Sequence, residues 1–527
     1  MTEFLLIAGF RACNGFWSSR GTTDLPYTPG SSPSSPNHRH KRKYSRGIGK
    51  IGQIMEKDFI VFHGNLQQLL EKVETGEMIP RLQASHAPMC KFFTAYYVIS
   101  GIRHVVPLVH GPTGCPLYMS DFVRTRECCE IRGVPLEPTA CTALDESHVI
   151  YGGEGKLLEA VKEAYAKYHP DLIVILSCCC SGIIGDDVES IAREAEKLVG
   201  CRVLALRSEG FGGDFRSGYE DAFRLIMELM EPPKEKRRGT VNILGARWGP
   251  TTTEFEMDMD EIERLLGEVG IKINAVIAGG CTVEELKRAR EVELNASWCY
   301  DWGQKLGDMM EERFGIPYSK TGQPYGLEAT KEWLLGVASP LGMEKEALEV
   351  IERETKEVLP DLAYLKQALE GKTAIIEITE FPGPIRALSL ARMAEEFGAH
   401  PIVINVHPYT IKERMPSIKF LLGTGVNPEI ILTGGLFRLG SFRSSKETED
   451  ELEAIVRQYD DAIFFGNSGR FPPCPVVNLT LMNPAFQPQY GFRGIRNIAA
   501  LVRQALGNKN LPRSRLLRGM LYGTRTK

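Results

Sequence analysis

The sequence predicts an α/β fold built from several doubly wound parallel sheets. Short runs rich in β-branched residues alternate with amphipathic helical stretches from about residue 85 onward, which is the pattern of parallel strands connected by helices. The alternation restarts near Thr240 and again near Gly371. A chain of 527 residues is also too long for a single hydrophobic core. We therefore expect three α/β domains, each with helices on both faces of its sheet.

Each predicted strand is a short apolar run, and each predicted helix is an amphipathic stretch. A largely helical linker is expected over residues 340–369. In open sheets of this kind ligands bind beyond the carboxyl ends of the strands, so the residues that follow the strands are the first candidates for a functional site. The predicted strands are 171–177, 202–207, 241–245, 274–278, 373–378, 401–405 and 429–433, and the predicted helices are 156–168, 187–198, 258–270, 384–397 and 447–459.

The composition is that of a soluble globular protein. Hydrophobic residues make up 43% and charged residues 25% of the chain. A net charge of −4 is unlike that of a nucleic-acid-binding domain, which is usually basic. The longest apolar stretch, residues 172–184, is shorter than the ~20 residues of a membrane span, so no membrane association is expected. The odd count of 13 cysteines and the lack of a secretory signal favour a reducing cytoplasm over a disulfide scaffold.

The two ends of the chain differ from the rest. Residues 1–54 contain a Pro/Ser-rich run at 27–36 and a basic run at 38–43, and this composition predicts disorder. The apolar stretch 4–10 lacks the preceding basic region of a targeting peptide. Translation starts either at Met1 or at Met55, and we favour Met55. A basic tail is expected over residues 509–527.

Three segments carry the cysteines with the clearest chemical signal. They contain Cys90, Cys115 and the triplet Cys178–Cys180, which directly follows a predicted strand and precedes Gly-Asp-Asp at 185–187. Thiolates hold iron–sulfur clusters, usually four to a [4Fe–4S] unit, and they are favoured at helix amino ends. Zinc-type Cys-x-x-Cys spacing is absent. From spacing alone, a metal centre and a set of buried thiols both remain open.

Several segments together resemble the nitrogenase component 1 family. They are residues 110–115, 142–154, 179–187, 294–300, 311–317, 370–373 and 490–494, so the resemblance covers roughly residues 85–505. The resemblance implies three Rossmann-like domains around a central cofactor cleft. We place the first domain at 55–239, the second at 240–370 and the third at 371–508.

The resemblance also implies a cluster site and its partners. Cys90, Cys115 and Cys179 match the cysteines that hold a [4Fe–4S] or larger inter-subunit cluster on the α-type chain, and the spacing to Gly-Asp-Asp selects Cys179 over its two neighbours. A homologous β-type subunit, in an α2β2 heterotetramer, or a second copy of this chain would supply the other ligands. Electrons would come from a separate ATP-hydrolysing iron–sulfur protein, since this sequence has no phosphate-binding loop of the Gly-x-x-x-x-Gly-Lys-Ser/Thr type.

A second site is implied around Cys299, which matches the cysteine that ligates the large active-site iron–sulfur cofactor. A buried thiol is the alternative. Tyr490 stands where dinitrogen-reducing members carry a histidine ligand, and it either binds iron as a phenolate or packs as an ordinary aromatic. Arg216 and Glu220 fall near the family's pocket glutamine and proton-relaying histidine, which makes them candidate catalytic residues. A solvated helix face is the alternative for Glu220. In the third domain, the family's glycine–arginine loop is replaced in this sequence by Glu-Phe-Pro-Gly-Pro at residues 380–384.

Loss of the histidine ligand and of the titratable imidazole argues against dinitrogen reduction. The favoured function is the α-type subunit of a nitrogenase-like reductase acting on another substrate. The alternative is a scaffold on which the nitrogenase cofactor matures, and a third reading is an α/β protein without clusters. Cys128 and Cys129 lie near the cluster segment and are either extra ligands or, as we favour, buried thiols, whereas Cys141, Cys201, Cys281 and Cys474 have no supporting motif. His110 and His148 are expected to be structural or to support the ligands rather than to bind metal. The glycines at 210, 212 and 213 predict a tight turn or a ligand contact.

Overall fold

The computed structural model describes residues 60–77, 90–117, 130–131, 134–135, 139–246, 252–378, 384–404, 414–433, 446–466, 472–479 and 487–507. The chain divides into Met1–Gly52 and Gln53–Lys527, and every described residue belongs to the second of these. The predicted N-terminal extension, the C-terminal tail, Cys128, Cys129 and most of the 380–384 segment lie outside the described residues. No described helix is long and apolar enough to cross a membrane.

The first sheet has four parallel strands in the order Ala140–Cys141, Val105–His110, Leu172–Ser177 and Arg202–Leu206. Every residue of its two central strands is buried, as expected for a parallel sheet covered on both faces. Alternate residues of these strands pack into two different hydrophobic cores, with Ile173 and Ile175 in one and Val174 and Leu176 in the other. The helices nearest in sequence are Lys91–Ser100, Glu146–Tyr151, Glu154–Tyr168, Cys179–Ile184, Val188–Glu196 and Phe215–Met227.

The second sheet has three parallel strands in the order Lys272–Val276, Arg237–Leu244 and Val292–Ser297. A short parallel pair, Cys281–Thr282 with Ile102–Arg103, links this part of the chain to the first. The accompanying helices are Thr252–Val269, Val283–Lys287, Tyr300–Phe314, Gly326–Ala338 and Glu344–Leu369. The last of these corresponds to the helical linker expected from the sequence.

The third sheet has six strands in the order Ile60–Asn65, Glu429–Thr433, His400–Ile404, Thr373–Glu377, Ala462–Gly466 and Val476–Asn478. The first of these is antiparallel to its neighbour, and the other five are parallel. Its helices are Leu66–Glu74, Pro384–Glu396, Met415–Gly423, Lys446–Val456 and Gly491–Gly507. The strand Ile60–Asn65 therefore pairs with residues of the predicted third domain, although the sequence places it in the first.

The expected α/β class with parallel sheets is confirmed. All seven predicted strands are present, and the predicted and observed carboxyl ends agree within two residues. The largest difference at an amino end is in the strand Arg237–Leu244, which begins four residues before the predicted start at Val241. The division into three domains stays a prediction, because the three sheets do not by themselves mark domain boundaries. For function, the first sheet matters most, since its carboxyl ends deliver the cysteine segments.

Candidate functional site

The cysteines selected from the sequence all lie at helix amino ends. Cys90 is the N-cap of Lys91–Ser100, Cys115 lies in the first turn of a short helix over residues 114–117, and Cys179 is the first residue of Cys179–Ile184. Cys299 is the N-cap of Tyr300–Phe314. The positive end of the helix dipole and the exposed N–H groups there lower the pKa of a thiol, although burial outweighs them at Cys90 and Cys299. All four cysteines thus share a helix-end position that would support a metal-bound thiolate.

Cys90 and Cys179 flank Gly210, in the turn after the strand Arg202–Leu206, and Cys115 lies close enough to Cys90 to act on its thiol electrostatically. The Gly210 N–H donates to Cys179 Sγ at 3.2 Å. A Cβ added to Gly210 would lie 3.1 Å from Cys179 Sγ and 3.6 Å from Cys90 Sγ, so only glycine lets the backbone approach both sulfurs this closely. Burial raises the pKa of the Cys90 thiol, and the electrostatic effect of the nearby Cys179 and Cys115 thiols raises it further. Three thiols from three separate segments thus meet at one place.

A fourth thiol, which the sequence did not select, joins this group. Interaction with Cys178 lowers the pKa of the Cys115 thiol to about 7, and interaction with Cys115 together with burial raises the pKa of the Cys178 thiol well above its usual value. Cys178 is buried against Gly111, whose added Cβ would lie 2.9 Å from Cys178 Sγ. Cys141 lies close by, with its sulfur accepting from the Ala143 N–H at 3.3 Å. The cysteine triplet was the one sequence signal that pointed to Cys178.

A buried polar network fixes the segments that carry these thiols. His110 Nε2 donates to Asp186 Oδ2 at 2.8 Å, and His110 Nδ1 lies 3.2 Å from Thr142 Oγ1. The other oxygen of Asp186 accepts from the Gly153 N–H at 3.0 Å. Burial lowers the pKa of His110, and Asp186 opposes that shift. Three of the motif segments named from the sequence are therefore joined through one histidine and one aspartate.

The donor set suits a cluster better than a single ion. Among the described residues, no group of three or more His, Cys, Asp or Glu side chains is arranged to hold one metal ion. A single ion gathers its sulfur ligands at about 2.3 Å from one point. An iron–sulfur cluster instead takes its thiolates at different irons, so they reach it from different directions. Cys90 and Cys179, which flank Gly210 from two different segments, and Cys115, from a third segment, fit such a cluster.

The second region lies around Cys299, which is buried at the carboxyl end of the strand Val292–Ser297. Burial raises the pKa of its thiol to about 12. Tyr490 lies near this thiol, and its ring packs 4.9 Å from that of Trp298 and 4.8 Å from that of Tyr325. Burial also holds the pKa of Tyr490 well above its usual value, so its hydroxyl stays protonated. This packing favours the structural aromatic over the phenolate ligand.

Two buried arginines border the Cys299 region. Arg414 pairs with Asp301 at 2.8 Å, two residues beyond Cys299, and its guanidinium lies 4.7 Å from the centre of the Trp302 ring. Arg386 donates to the Tyr325 hydroxyl and to the side-chain oxygen of Gln489, each at 2.8 Å. Sequence reasoning missed both, because their partners are remote in the chain and no local motif marks them. A helix-end thiol beside buried positive charge fits a thiolate-bound, anionic cofactor.

Glu220 does not line the Cys299 region directly. Its carboxylate forms ion pairs with Lys305 at 3.3 Å and with Arg224 at 3.6 Å, so it joins two helices. The preceding residue, Tyr219, is the one directed inward: its hydroxyl donates to the Trp302 carbonyl at 3.0 Å, and Cys299 contributes to its electrostatic surroundings. Proton relay by Glu220 stays a prediction. Tyr219 is a residue of this region that the sequence did not reveal.

Arg216 lies in the first turn of the same helix, one turn before Glu220 and on the same helix face. It is half-buried and follows Asp214, which forms an isolated bridge with Cys90. A catalytic role for Arg216 stays a prediction. The replaced loop at 380–383 lies outside the described residues.

Exposed apolar side chains, here called the apolar rim, lie close in sequence to the cluster thiols. Its members come from the same short segments as the cysteines and their supporting network. Tyr151 is 87% exposed and Ile183, in the helix that begins at Cys179, is 77% exposed. The apolar rim consists of Leu117, Ile150, Tyr151, Ile183 and Phe211. Large apolar side chains grouped this way mark a surface that a partner covers.

Comparison with known proteins gives a consistent result. A family model described as nitrogenase component 1 type oxidoreductase matches residues 90–506. The solved structure "Nitrogenase Cp1 at pH 6.5" is similar in fold, with a TM-score of 0.61 and 23% sequence identity over 82% of this chain and 90% of the other.

Characterised relatives fall into two kinds. The chain is 32% identical over 321 residues to the nitrogenase iron-molybdenum cofactor biosynthesis protein NifE of Clostridium pasteurianum, a match of 60% of this chain and 67% of the relative. It is 30% identical over 352 residues to the nitrogenase molybdenum-iron protein alpha chain of the same organism, covering 64% and 63% respectively. The alpha chain of Methanothermobacter marburgensis is 27% identical over 80% of this chain and 87% of its own length. The chain spans about two thirds of the length of each of the two Clostridium pasteurianum relatives.

Proposed function

The chain belongs to the nitrogenase component 1 type oxidoreductase family as an α-like subunit, and from that premise we propose that it serves a nitrogenase-like iron–sulfur reductase. In this role it passes low-potential electrons from an ATP-dependent iron–sulfur donor protein to a substrate other than dinitrogen. The observation that carries the proposal is the proximity of three thiols from separate segments: Cys90 and Cys179 flank Gly210, and Cys115 acts electrostatically on Cys90.

These residues would hold a [4Fe–4S] or larger cluster, which supplies one-electron chemistry at low potential when bound. Three helix amino ends stabilise the three thiolates, and the Gly210 N–H donates to the Cys179 sulfur. Three ligands are fewer than a cluster needs, so a homologous β-type subunit completes the set in an α2β2 assembly. The oxygen-labile ligand set suits a reducing cytoplasm.

The apolar rim is the proposed docking surface for the donor protein. It lies beside the cluster thiols, and electron transfer requires the donor to approach them closely. Apolar side chains such as Tyr151 and Ile183 supply the desolvated area that stabilises a transient complex. The chain brings no nucleotide-binding loop of its own, so ATP hydrolysis belongs to the donor.

Cys299 would hold a second, large iron–sulfur cofactor in the region bordered by Arg386 and Arg414. Tyr490 offers a protonated hydroxyl in place of an imidazole, so position 490 supplies neither a nitrogen ligand nor a base that titrates near neutral pH. This difference supports a substrate other than dinitrogen. Tyr219, whose hydroxyl reaches the start of the Cys299 helix, keeps water out of that side of the region.

A second candidate function is a scaffold for maturation of the nitrogenase cofactor. The observation that favours it is the 32% identity to the cofactor biosynthesis protein NifE, together with the missing histidine ligand. Both functions use the same three cluster thiols and Cys299. They differ in whether electrons leave the complex to a substrate.

One experiment separates the two functions. The full chain is purified without oxygen together with its β-type partner, and reduced donor protein and ATP are added. ATP-dependent oxidation of the donor with formation of a reduced product supports the reductase. Transfer of an iron–sulfur cofactor to a cofactor-free nitrogenase, without donor oxidation, supports the scaffold and would overturn the reductase proposal.

A further inference from the structure

One face of the helix Phe215–Met227 touches the helix that follows Cys90. A Cβ added to Gly218 would lie only 2.0 Å from the Lys91 carbonyl oxygen, and Lys91 is the first residue after the N-cap Cys90. Lys91 also forms an ion pair with Asp221 at 2.9 Å. Because no side chain fits at position 218, glycine lets the two helix backbones come into direct contact.

The next residue, Tyr219, contacts the helix that follows Cys299. Its hydroxyl donates to the Trp302 carbonyl at 3.0 Å, and its ring lies 4.9 Å from the Trp302 ring in an edge-to-face arrangement. Trp302 belongs to the first turn of Tyr300–Phe314, whose N-cap is Cys299. The Tyr219 ring also packs on Phe223 of its own helix, with ring centres 4.1 Å apart. Tyr219 therefore holds the start of the Cys299 helix by a hydrogen bond and by packing.

Tyr219 also packs against two hydrophobic cores. One of them contains Cys299, and Cys90 packs against the other. Successive residues of a helix point about 100° apart, so Gly218 and Tyr219 reach two different faces of their helix. Two neighbouring residues of one helix thus touch the first turns of the two helices that begin at Cys90 and Cys299.

This inference rests on the proposed function, since a fixed separation matters only if Cys90 and Cys299 both hold metal. We propose that the helix Phe215–Met227 is a spacer between the two sites, and that Tyr219 is the positioning residue that fixes Cys299 against it. Electron exchange between two centres weakens steeply as they move apart. A functional site must therefore be held to within about 0.5 Å by the side chains that support it, and Tyr219 supplies such support at Trp302.

Two substitutions of Tyr219 separate the hydroxyl from the ring. Tyr219→Phe keeps only the ring, and Tyr219→Leu removes both. Tyr318→Phe is the matched control, because the Tyr318 hydroxyl donates at 2.7 Å to Asp308, which lies farther along the same Cys299 helix. Each full-length variant is purified without oxygen with its β-type partner, from a host that builds iron–sulfur clusters but not the large cofactor, so that Cys299 stays a free thiol.

The alkylation rates of Cys299 and Cys281 by iodoacetamide are then measured by peptide mass spectrometry. Cys281 is equally buried, at 1% exposed, and serves as the internal reference for general loosening of the fold. The ratio of the Cys299 rate to the Cys281 rate should rise about fivefold in Tyr219→Phe, the effect of one lost hydrogen bond, and about tenfold or more in Tyr219→Leu. It should stay at the wild-type value in Tyr318→Phe. An unchanged ratio in Tyr219→Leu, or an equal rise in Tyr318→Phe, would overturn the positioning role.

The spacer is tested in the complex loaded at both sites. The magnetic coupling between the two centres, measured by pulsed paramagnetic resonance, should change in Tyr219→Leu and stay constant in Tyr318→Phe. Identical coupling in Tyr219→Leu and wild type would overturn the spacer. A wild-type complex without any iron–sulfur signal would instead refute the proposed function, while the alkylation rates would still decide whether Tyr219 positions Cys299.

Discussion

The imidazole of His110 donates through Nε2 to Oδ2 of Asp186 at 2.8 Å, and the two side chains are 0% and 3% exposed. This bond spans 76 positions in the chain. It fastens the end of the strand that precedes Cys115 to the turn that follows the Cys179 helix. The positions of the two cysteines relative to each other therefore depend on a contact that neither of them makes.

Asp186→Ala should weaken both stability and cluster binding. The change leaves His110 Nε2 and the Gly153 N–H without their acceptor in a buried site, which costs about 3 kcal/mol. Asp187→Ala is the control, because the exposed Asp187 only caps the next helix through Ser190, a contribution of about 1 kcal/mol. Denaturant unfolding followed by circular dichroism, with iron analysis, measures both effects. Equal losses in the two variants would contradict the role given to Asp186.

Gly245→Ala should disturb the start of the Cys299 helix. Gly245 has a φ of 73°, and an added Cβ would lie 2.5 Å from the Gly303 nitrogen and 2.6 Å from the Cys299 oxygen. We expect a loss of about 2 kcal/mol in the free energy of unfolding. Gly267→Ala, within a helix and with nothing close to the added Cβ, should be neutral or stabilising by up to about 1 kcal/mol. Finding both variants as stable as the wild type would refute the close approach at Gly245.

Glu396 should give the protein a pH-dependent loss of stability. Burial raises the pKa of its carboxyl from 4.5 to about 7, although the carboxylate accepts from the Leu327 N–H at the start of the helix Gly326–Ala338. The folded state holds its proton more tightly than the unfolded state, so this contribution is full below pH 4.5 and is lost as the pH rises through 7. Melting temperatures of wild type and Glu396→Gln from pH 4.5 to 8 test it. The variant should gain on the wild type as the pH rises, and a constant difference would contradict the shift.

Ile183→Asp should weaken docking of the donor protein. A charge on the apolar rim removes a contact that burial would stabilise, and we expect an affinity loss of about tenfold, or ~1.4 kcal/mol. Leu359→Asp is the control, since Leu359 is also exposed, at 53%, but lies on the helix Glu344–Leu369 away from the cysteine segments. Binding of the reduced donor by surface plasmon resonance without oxygen gives both affinities. If Leu359→Asp weakens binding as much as Ile183→Asp does, the rim is not the docking surface.

Local patterns in the sequence were enough for most of the fold, whereas the choice of Cys90, Cys115 and Cys179 as cluster ligands came from the family resemblance and stays a prediction. Strands such as Leu172–Ser177 are uninterrupted apolar runs, and such a run can be recognised from the sequence without knowing what packs against it. The central strand Val105–His110 is not among the predicted strands. It is apolar, but it carries Pro107, which argues against a central strand, and it is nonetheless paired on both sides.

The rest of the candidate site depends on contacts between remote positions. Asp301 accepts from the Ser417 hydroxyl 116 positions away, and Arg386 reaches Gln489 across 103 positions. No spacing rule connects such pairs, so the buried arginines near Cys299 could be found only after folding placed them there.

The most direct test of the account is the iron–sulfur content of Cys115→Ala, purified without oxygen beside wild type and Cys201→Ala. Cys201 is a half-buried thiol at the amino end of a first-sheet strand, opposite the end that carries the cluster segments. The account predicts that wild type and Cys201→Ala contain the same iron, sulfide and paramagnetic resonance signal, and that Cys115→Ala loses most of all three. A Cys115→Ala variant with the full wild-type signal would contradict the assignment of Cys90, Cys115 and Cys179 as the cluster ligands.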